Sequence, residues 1–151
     1  MKFRSIKGTY DVLPNISNKW KNVELHIHQY LSRAGYSEIR TPIFENTELF
    51  KQSVGEDSDV VSKEMYSWVD QGGTDLTLKP EYTASVVRSY IQNNLNSISP
   101  ISKLYYIGDL FRRERPQKGR YRQFRQFGIE AIGSQYSEQD AEIISIAWNI
   151  L

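Results

Sequence analysis

The sequence predicts an α+β fold, in which an antiparallel β-sheet is flanked by helices. Two pairs of strand-like segments, each joined by a short turn, predict β-hairpins. Three longer segments with apolar residues at three- and four-residue steps predict amphipathic helices. A chain of 151 residues is long enough to bury a substantial core, and we expect residues 1–151 to form one domain.

Composition excludes several classes of protein. The chain has no cysteine, so it holds neither a disulfide nor a thiol-based metal site. No apolar run approaches the roughly twenty residues that cross a bilayer, and residues 1–11 have no apolar signal-peptide core. His26 and His28 lie two positions apart on a predicted helix and cannot face a common ligand, so we expect no metal site. We expect a soluble, cytoplasmic protein without a membrane partner.

A turn-rich stretch at residues 8–14 precedes the first predicted helix. Asn15 or Ser17 is expected to cap this helix, because both side chains accept hydrogen bonds from free N–H groups. Apolar residues then recur at helical steps between residues 16 and 34, and Gly35 ends the helix.

Residues 36–45 form a predicted strand that contains Pro42. Because proline cannot donate a hydrogen bond to a neighbouring strand, we expect this segment at an edge, a bulge or an interface. The residues alone favour an ordinary edge strand, which the proline protects from pairing with other chains. A short helix at residues 47–54 and a polar connection at residues 55–63 follow.

The first hairpin is predicted from residues 65–70 and 75–79, with its turn at residues 71–74. Pro80 is expected to begin the next helix, because a helix does not need the first N–H group that proline lacks. The side of this helix that should be buried carries Ala84, Val87, Tyr90, Ile91 and Leu95.

The last predicted helix covers residues 137–151, with Ser137 as its cap and Asp140 as a capping-box-like partner. Its end is apolar on most sides and has no terminating glycine, so we expect more protein to cover it. The chain is therefore expected to stop inside, or just after, an element that continues.

The second hairpin is predicted from residues 104–111 and 123–133, with Pro116 and Gly119 in its turn. Residues 112–125 carry seven basic residues and one acid, a net charge of +6. The whole chain has a charge of +1, so the remaining residues sum to −5. Guanidinium groups set between aromatic rings suit a nucleotide or a nucleic acid, although most charge runs are solvated surface.

Alternation along the second hairpin separates its two faces. The face that should pack on a core carries Phe127, Ile129, Ala131 and the stem of Arg125. The open face carries Leu110, Arg112 and Glu114 on one strand and Phe124, Gln126, Gly128 and Glu130 on the other. Gly128 should let a ligand approach the backbone closely. An arginine, two acids, an amide and an aromatic ring on an open face are typical of an active site.

Residues 111–133, FRRERPQKGRYRQFRQFGIEAIG, resemble the second signature motif of class II aminoacyl-tRNA synthetases, in the form found in histidyl-tRNA synthetases. Three other stretches resemble the same family: GTYDVLP at residues 8–14, residues 35–50, which are similar to the first signature motif, and LKPEYTA at residues 78–84. Residues 1–151 are thereby identified as the N-terminal part of a class II synthetase catalytic domain.

The resemblance implies an ATP-dependent histidine–tRNA ligase. L-Histidine and ATP would give histidyl-adenylate and pyrophosphate, with Mg²⁺ bridging phosphates, and the histidyl group would then pass to tRNA(His). A homodimer with an interface through residues 35–50 is also implied. The third signature motif, a histidine-specific segment and the anticodon-binding domain of the family are not among these residues, so we expect the fragment to be inactive alone.

The resemblance also implies roles for individual residues. The ATP-binding set is Arg112 for the α-phosphate, Glu114 for the adenine amino group, Phe124 for stacking and Arg120 for the β- and γ-phosphates. The histidine-binding set is Glu81 and Thr83 for the α-amino group, Gln126 near the amino and carboxylate groups, and Glu130 for the imidazole. Arg112 and Gln126 are the catalytic candidates.

Two positions near Glu81 and Thr83 depart from the family pattern. Lys79 stands where arginine is usual, and Tyr82 stands where a small residue is usual, so its ring should point away from the pocket. Without the resemblance, Glu81 and Thr83 would be typical of an ordinary helix start, where acids are favoured.

Two other functions remain open. A synthetase paralogue that serves as a regulatory subunit of histidine biosynthesis would share the fold without forming an adenylate. A non-catalytic RNA-binding module would use the arginine and aromatic residues alone, and its binding would weaken steeply with salt and ignore ATP.

Overall fold

The computed structural model describes residues 3–55, 58–115 and 117–151. The α-helices in these ranges are α1 (Pro14–Arg33), α2 (Thr47–Val54), α3 (Thr83–Gln92) and α4 (Ser137–Ile150). The strands are β1 (Ser37–Glu38), β2 (Phe44–Asn46), β3 (Tyr66–Val69), β4 (Asp75–Leu78), β5 (Ser102–Phe111) and β6 (Gln123–Ile132). Val60–Glu64 forms a π-helical turn and Leu95–Ser97 a 3₁₀ helix.

The described strands form two three-stranded sheets. One has the order β1-β5-β6, and the short β1 runs parallel to β5, with Ser37 opposite Leu104. The other has the order β2-β4-β3, in which β4 is antiparallel to both neighbours and Thr77 lies opposite Glu45 and Ser67. Helices together with antiparallel strand pairs confirm the predicted α+β class.

The chain groups into two compact units. The first takes in the described residues of Met1–Asp11, Thr41–Ser89 and Gly108–Gln126, and the second takes in Val12–Arg40, Tyr90–Ile107 and Phe127–Leu151. Of the predicted site residues, Glu130 belongs to the second unit and all the others belong to the first.

The first unit packs around α2 and its sheet. The side chain of Phe50 on α2 has no exposed surface. The hydroxyl of Thr77 on β4 is also buried, 2.8 Å from Thr47 Oγ1 and 2.7 Å from Ser67 Oγ. The buried hydroxyls of Thr47 and Thr77 therefore each have a hydrogen-bond partner, which burial of a polar group requires.

The second unit has its core between α1, β5 and α4. Its buried apolar cluster consists of Ile27, Leu31, Tyr36, Tyr105 and Ile146. Phe127 and Ile129 on β6 pack against this cluster, as the alternation of β6 predicts. The apolar side of the second predicted hairpin is confirmed at these two positions.

The strand predicted at residues 36–45 is not continuous. Ser37–Glu38 pairs with β5, Phe44–Asn46 pairs with β4, and the residues between them belong to neither sheet. Pro42 lies in this interruption, as its missing N–H group explains. The segment supplies one strand to each of two sheets.

Both predicted helix caps are wrong. Leu13 occupies the cap position of α1 and Pro14 begins the helix, so neither Asn15 nor Ser17 is the cap. Proline suits the first helical position because its φ angle is already helical. Ser137 is likewise the first helical residue of α4 rather than its cap.

The buried side of α3 also differs from the prediction. Ala84, Ser85 and Val86 are buried, whereas Val87 and Ile91 are 39% and 67% exposed. The apolar residues of α3 extend around more of the helix than its contacts in this structure cover.

The apolar end of α4 is exposed on the side opposite Ile146. Ile144 and Trp148 are largely exposed, while Ile146 is buried. Among the described residues, no helix has the length and apolar character that crossing a bilayer demands.

Two predictions reach residues outside the described ranges. They are the turn position of Pro116 and positions 56 and 57 of the polar connection. Gly119, the other predicted turn residue, has a φ angle of 82°, and Gln117 pairs with Arg120 across it. A left-handed backbone of this kind favours glycine.

Lys79 is unusual among the buried residues because its side chain is ionisable. The residue is only 3% exposed. Its ammonium lies 3.8 Å from the centroid of the Tyr82 ring and donates to the backbone oxygen and Oγ1 of Thr41 at 3.4 and 3.3 Å. Burial lowers the pKa of Lys79 to about 8, although the charges of Glu45 and Asp109 raise it. The folded chain therefore favours the neutral amine more than the unfolded chain does.

Replacement of Phe50 by alanine should destabilise the chain by about 3–5 kcal/mol, because it leaves a cavity at a fully buried site. Phe44→Ala is the matched control, since Phe44 is 46% exposed, and it should lower stability by about 1 kcal/mol or less. Urea unfolding followed by circular dichroism measures both free energies. Equal losses in the two variants would show that the packing around Phe50 is wrongly described.

The stability of the chain should rise with pH through the titration of Lys79. Below pH 8 both folded and unfolded states hold the proton, whereas above it the unfolded state holds more protons, so unfolding becomes less favourable. Relative to a Lys79→Met variant, the wild-type chain should gain about 2 kcal/mol between pH 7 and 9.5. Urea unfolding of both proteins at each pH cancels titrations that they share. A pH-independent difference would contradict the lowered pKa.

Candidate functional site

Arg112 follows β5 and is fixed at several points. Its backbone N–H donates to Arg122 O at 3.0 Å, and its Nε donates to Pro80 O at 2.9 Å. The guanidinium carbon lies 5.4 Å from the centroid of the Phe124 ring. With one edge bound to Pro80 and one face over an aromatic ring, the guanidinium keeps its Nη groups for a ligand.

Glu114 lies next to two guanidinium groups. Its Oε1 is 3.9 Å from Arg112 Nη1, and its Oε2 is 3.7 Å from Arg120 Nη1. The Glu114 side chain is 16% exposed, and its Oε2 is buried without a hydrogen bond. A buried acceptor of this kind is costly unless a donor reaches it, so Oε2 is suited to a ligand that carries an N–H group.

The predicted nucleotide-binding residues therefore lie together in the first unit. Arg112 contacts Phe124 and Glu114, and Glu114 contacts Arg120. The Arg120 side chain is mostly exposed. The arrangement offers a positive charge for phosphate, an acceptor for an amino group and an aromatic face for a base.

Glu81 lies before α3 and serves as its cap. Its Oε1 accepts a hydrogen bond from Ala84 N at 2.9 Å, and α3 begins at Thr83 rather than at Pro80. The prediction that Pro80 starts this helix is wrong. Thr83 is exposed in the first turn. Capping occupies Oε1 of Glu81 and leaves Oε2 for another donor.

The segment before α3 is tied to the end of β5 by two hydrogen bonds. Phe111 N donates to Lys79 O at 3.0 Å, and Arg112 Nε donates to Pro80 O. The residues that precede Glu81 are thus attached to the strand that carries Arg112. These bonds join the predicted amino-acid-binding segment to the predicted phosphate-binding residue.

Tyr82 packs inside the first unit. Its side chain is buried, and a Cβ atom added to Gly108 would lie 1.9 Å from its hydroxyl oxygen, so only glycine fits opposite this ring. Burial raises the pKa of Tyr82, with a further increase from Asp109 and a decrease from Arg125. No sequence pattern indicates the contact between Tyr82 and Gly108, which lie far apart in the chain.

Arg125 uses its guanidinium in an ion pair. Its Nη1 lies 3.3 Å from Asp109 Oδ1, and Gln123 Nε2 donates to the other oxygen of the same carboxylate at 3.2 Å. Alternation along β6 predicts that the stem of Arg125 lies on the same side as Phe127. It does not predict the ion pair between Arg125 and Asp109.

Gln126 and Glu130 are the remaining predicted residues. Gln126 is exposed on β6 in the first unit. In the second unit Glu130 is half-buried, and its Oε1 accepts a hydrogen bond from Tyr106 Oη at 3.4 Å. A carboxylate that accepts from a tyrosine retains acceptor capacity for a second donor.

The prediction that Gly128 leaves room for a ligand is wrong. A Cβ atom at this position would lie 2.3 Å from the hydroxyl oxygen of Tyr106 and 2.4 Å from its Cζ. The space beside Gly128 is therefore filled by the Tyr106 ring, which is itself buried. The missing side chain of Gly128 therefore makes room for the Tyr106 ring and not for a ligand.

No cluster of three or more histidine, cysteine, aspartate or glutamate side chains that would suit a metal ion occurs within residues 3–55, 58–115 and 117–151. The positive charge at the candidate site comes from the guanidinium groups of Arg112 and Arg120.

Comparison with known proteins connects this geometry to one family. The family model described as Histidyl-tRNA synthetase matches residues 8–151. A histidine–tRNA ligase of Desulfitobacterium hafniense (strain DSM 10664 / DCB-2) is 49% identical over 150 residues, and one of Bacillus licheniformis is 54% identical over 152 residues. Both alignments include 99% of this chain, and they include 35% and 36% of the relatives.

Solved structures agree with the sequence matches. The apo histidyl-tRNA synthetase of S. aureus superposes with a TM-score of 0.82 at 40% identity, over 98% of this chain and 34% of that chain. An ATP phosphoribosyltransferase regulatory subunit/histidyl-tRNA synthetase from Bacillus halodurans C gives a TM-score of 0.83 at 26% identity, over 99% and 38%. The chain spans about a third of the length of these relatives. With a family match over residues 8–151, the chain belongs to the histidyl-tRNA synthetase family.

Proposed function

We propose that the chain is the amino-terminal part of the catalytic domain of a histidine–tRNA ligase, which activates L-histidine with ATP and transfers it to tRNA(His). The observation that carries the proposal is the group formed by Arg112, Glu114 and Phe124. It offers a phosphate ligand, an amino-group acceptor and a stacking face within one unit, as adenosine triphosphate requires.

In the first step, a carboxylate oxygen of histidine attacks the α-phosphorus of ATP, the bond to the β-phosphate oxygen breaks, and pyrophosphate leaves. Negative charge moves to the α-phosphate and the leaving group, and Arg112 stabilises it through its Nη groups. Arg120 binds the β- and γ-phosphates with its exposed guanidinium. Mg²⁺ would accompany ATP and offset part of the negative charge of its phosphates, and we assign it no protein ligand.

The adenine is held by Glu114 and Phe124. The buried Oε2 of Glu114, which has no hydrogen bond in this structure, accepts one from the adenine amino group. Phe124 stacks on the ring. Because the carboxylate is an acceptor only, this contact favours adenine over guanine, which presents a carbonyl at that position.

Three side chains of the first unit are proposed ligands of histidine. The free Oε2 of Glu81 and the hydroxyl of Thr83 accept from its ammonium group, and Gln126 binds near its amino and carboxylate groups. Separately, the family resemblance assigns the imidazole to Glu130, whose Oε1 accepts a hydrogen bond from Tyr106 Oη within the second unit. In the second step, a hydroxyl of the terminal ribose of tRNA(His) attacks the acyl carbon and AMP leaves.

We further propose a cytoplasmic homodimer with residues 35–50 in its interface. Ile43 and Phe44 support this proposal, because both are apolar and about half exposed in this segment.

The alternative is a regulatory subunit of histidine biosynthesis that forms no adenylate. The similarity to the Bacillus halodurans C protein supports it, since that protein is described as a regulatory subunit as well as a synthetase. The full set Arg112, Glu114, Arg120 and Phe124 favours the ligase, because a protein that binds no ATP has no need of it.

Replacement of Arg112 by alanine in the full-length protein that contains this chain should lower histidine-dependent ATP–pyrophosphate exchange about a hundredfold or more, because charge on the transferring phosphoryl group loses its main partner. Arg112→Lys should recover only part of this loss, since lysine lacks the bidentate geometry. Arg33→Ala on α1 is the matched control and should exchange normally. Normal exchange by Arg112→Ala would refute the catalytic assignment, and no exchange by the wild-type protein would favour the regulatory subunit.

The isolated chain of 151 residues should not catalyse the exchange. The chain spans about a third of the length of its histidine–tRNA ligase relatives, so we expect the α-phosphate to have only part of its surroundings. The same assay with excess chain and with the full-length protein as positive control measures this. Clear turnover by the isolated chain would show that the first two motifs suffice.

A further inference from the structure

The amino-terminal segment forms a turn that presents one carbonyl group to the basic loop, which the structure describes at residues 112–115 and 117–122. Thr9 donates to Ile6 O through its backbone N–H at 2.9 Å and through its hydroxyl at 2.8 Å. Gly8, inside this turn, has a φ angle of 91°, which favours glycine. The carbonyl of Gly8 accepts a hydrogen bond from Arg122 N at 2.7 Å.

A second contact lies beside this hydrogen bond. The rings of Tyr10 and Tyr121 are 4.7 Å apart between centroids and inclined at 56°. Both rings are partly exposed, at 47% and 40%. Aromatic pairs at this distance attract each other beyond the burial of their surface.

Arg122 connects these contacts to the proposed nucleotide site. Its backbone carbonyl accepts from Arg112 N at 3.0 Å, and its Nε donates to Glu114 O at 3.5 Å. The residue held by Gly8 therefore also holds the backbone of Arg112 and contacts that of Glu114. Displacement of Arg122 would move both residues together.

We propose that residues 6–10 form a clasp that positions the basic loop for ATP, with Gly8 and Tyr10 as positioning residues that act through Arg122 and Tyr121. This inference rests on the proposed function for its kinetic consequence. The contacts themselves are independent of it. The clasp sets the affinity for the nucleotide and not for histidine, because the residues it holds are those assigned to phosphate and adenine.

Limited proteolysis tests the clasp without reference to catalysis. Lys118 and Arg120 are exposed trypsin sites in the basic loop. In the full-length protein, Tyr10→Ala and Tyr121→Ala should each raise the rate of cleavage at these sites about three- to tenfold. The double variant should be cleaved no faster than either single variant, because both remove the same contact. Tyr10→Phe should behave as wild type, since it keeps the ring.

Ile6→Ala is the matched control on the same segment. Its side chain is exposed, and its part in the turn is made by its backbone. Cleavage should therefore stay at the wild-type rate. Unchanged cleavage in both tyrosine variants, or additive increases in the double variant, would overturn the clasp.

Exchange kinetics test the functional consequence. Tyr10→Ala should raise the KM for ATP about three- to tenfold, with the KM for histidine and the melting temperature unchanged. An equal rise in both KM values would overturn the positioning role of the clasp. So would a fall in melting temperature large enough to explain the change in the KM for ATP, because the clasp would then only stabilise the fold. If the wild-type protein shows no exchange, the proposed function fails, and the proteolysis result still decides whether the clasp exists.

Discussion

The attachment of the end of β5 to residues 79 and 80 is the constraint on which the candidate site depends. Phe111 N–H and Arg112 Nε donate to consecutive carbonyl groups, those of Lys79 and Pro80. One of these bonds is made by a backbone and the other by a charged side chain, so the position of the guanidinium is determined relative to the start of α3. A charged donor also makes the stronger hydrogen bond. The bonds therefore position both Arg112 and the segment that precedes Glu81 and α3.

This arrangement explains why the same residues fulfil structural and chemical roles. Glu81 caps α3 through one oxygen, and Arg112 binds Pro80 through one nitrogen, so each side chain is oriented by part of its hydrogen-bonding capacity. The remaining oxygen of Glu81 and the Nη groups of Arg112 are left for ligands. The two interpretations of Glu81, helix start and amino-group ligand, are therefore compatible. A side chain that is oriented by one hydrogen bond presents its remaining polar atoms to a ligand in a better-defined position.

Sequence alone was sufficient for the fold class and for the core side of β6. Alternation placed Phe127 and Ile129 on the core side of β6. The dense arginine pattern led to the prediction of a site around Arg112, which stays a prediction. Sequence alone was insufficient for Gly128, because alternation gives the face of a residue and not the side chain that covers it. Tyr106 fills that space from the neighbouring strand. It also gave the wrong caps for α1, because Asn15 and Ser17 have the right chemistry but Pro14 already starts the helix.

The two departures from the family pattern, Lys79 and Tyr82, account for each other. The ring of Tyr82 fits because Gly108 has no side chain, and once it is buried it offers an aromatic face to the ammonium of Lys79. An arginine at position 79 would extend its planar group further than an ammonium that already lies 3.8 Å from the ring centroid. Burial of the lysine charge is unfavourable, and the acidic groups of Glu45 and Asp109 offset part of that cost. Because the ring of Tyr82 lies against Gly108 and Lys79 packs on that ring, the two departures are accommodated inside the first unit while the side chain of Thr83 stays exposed.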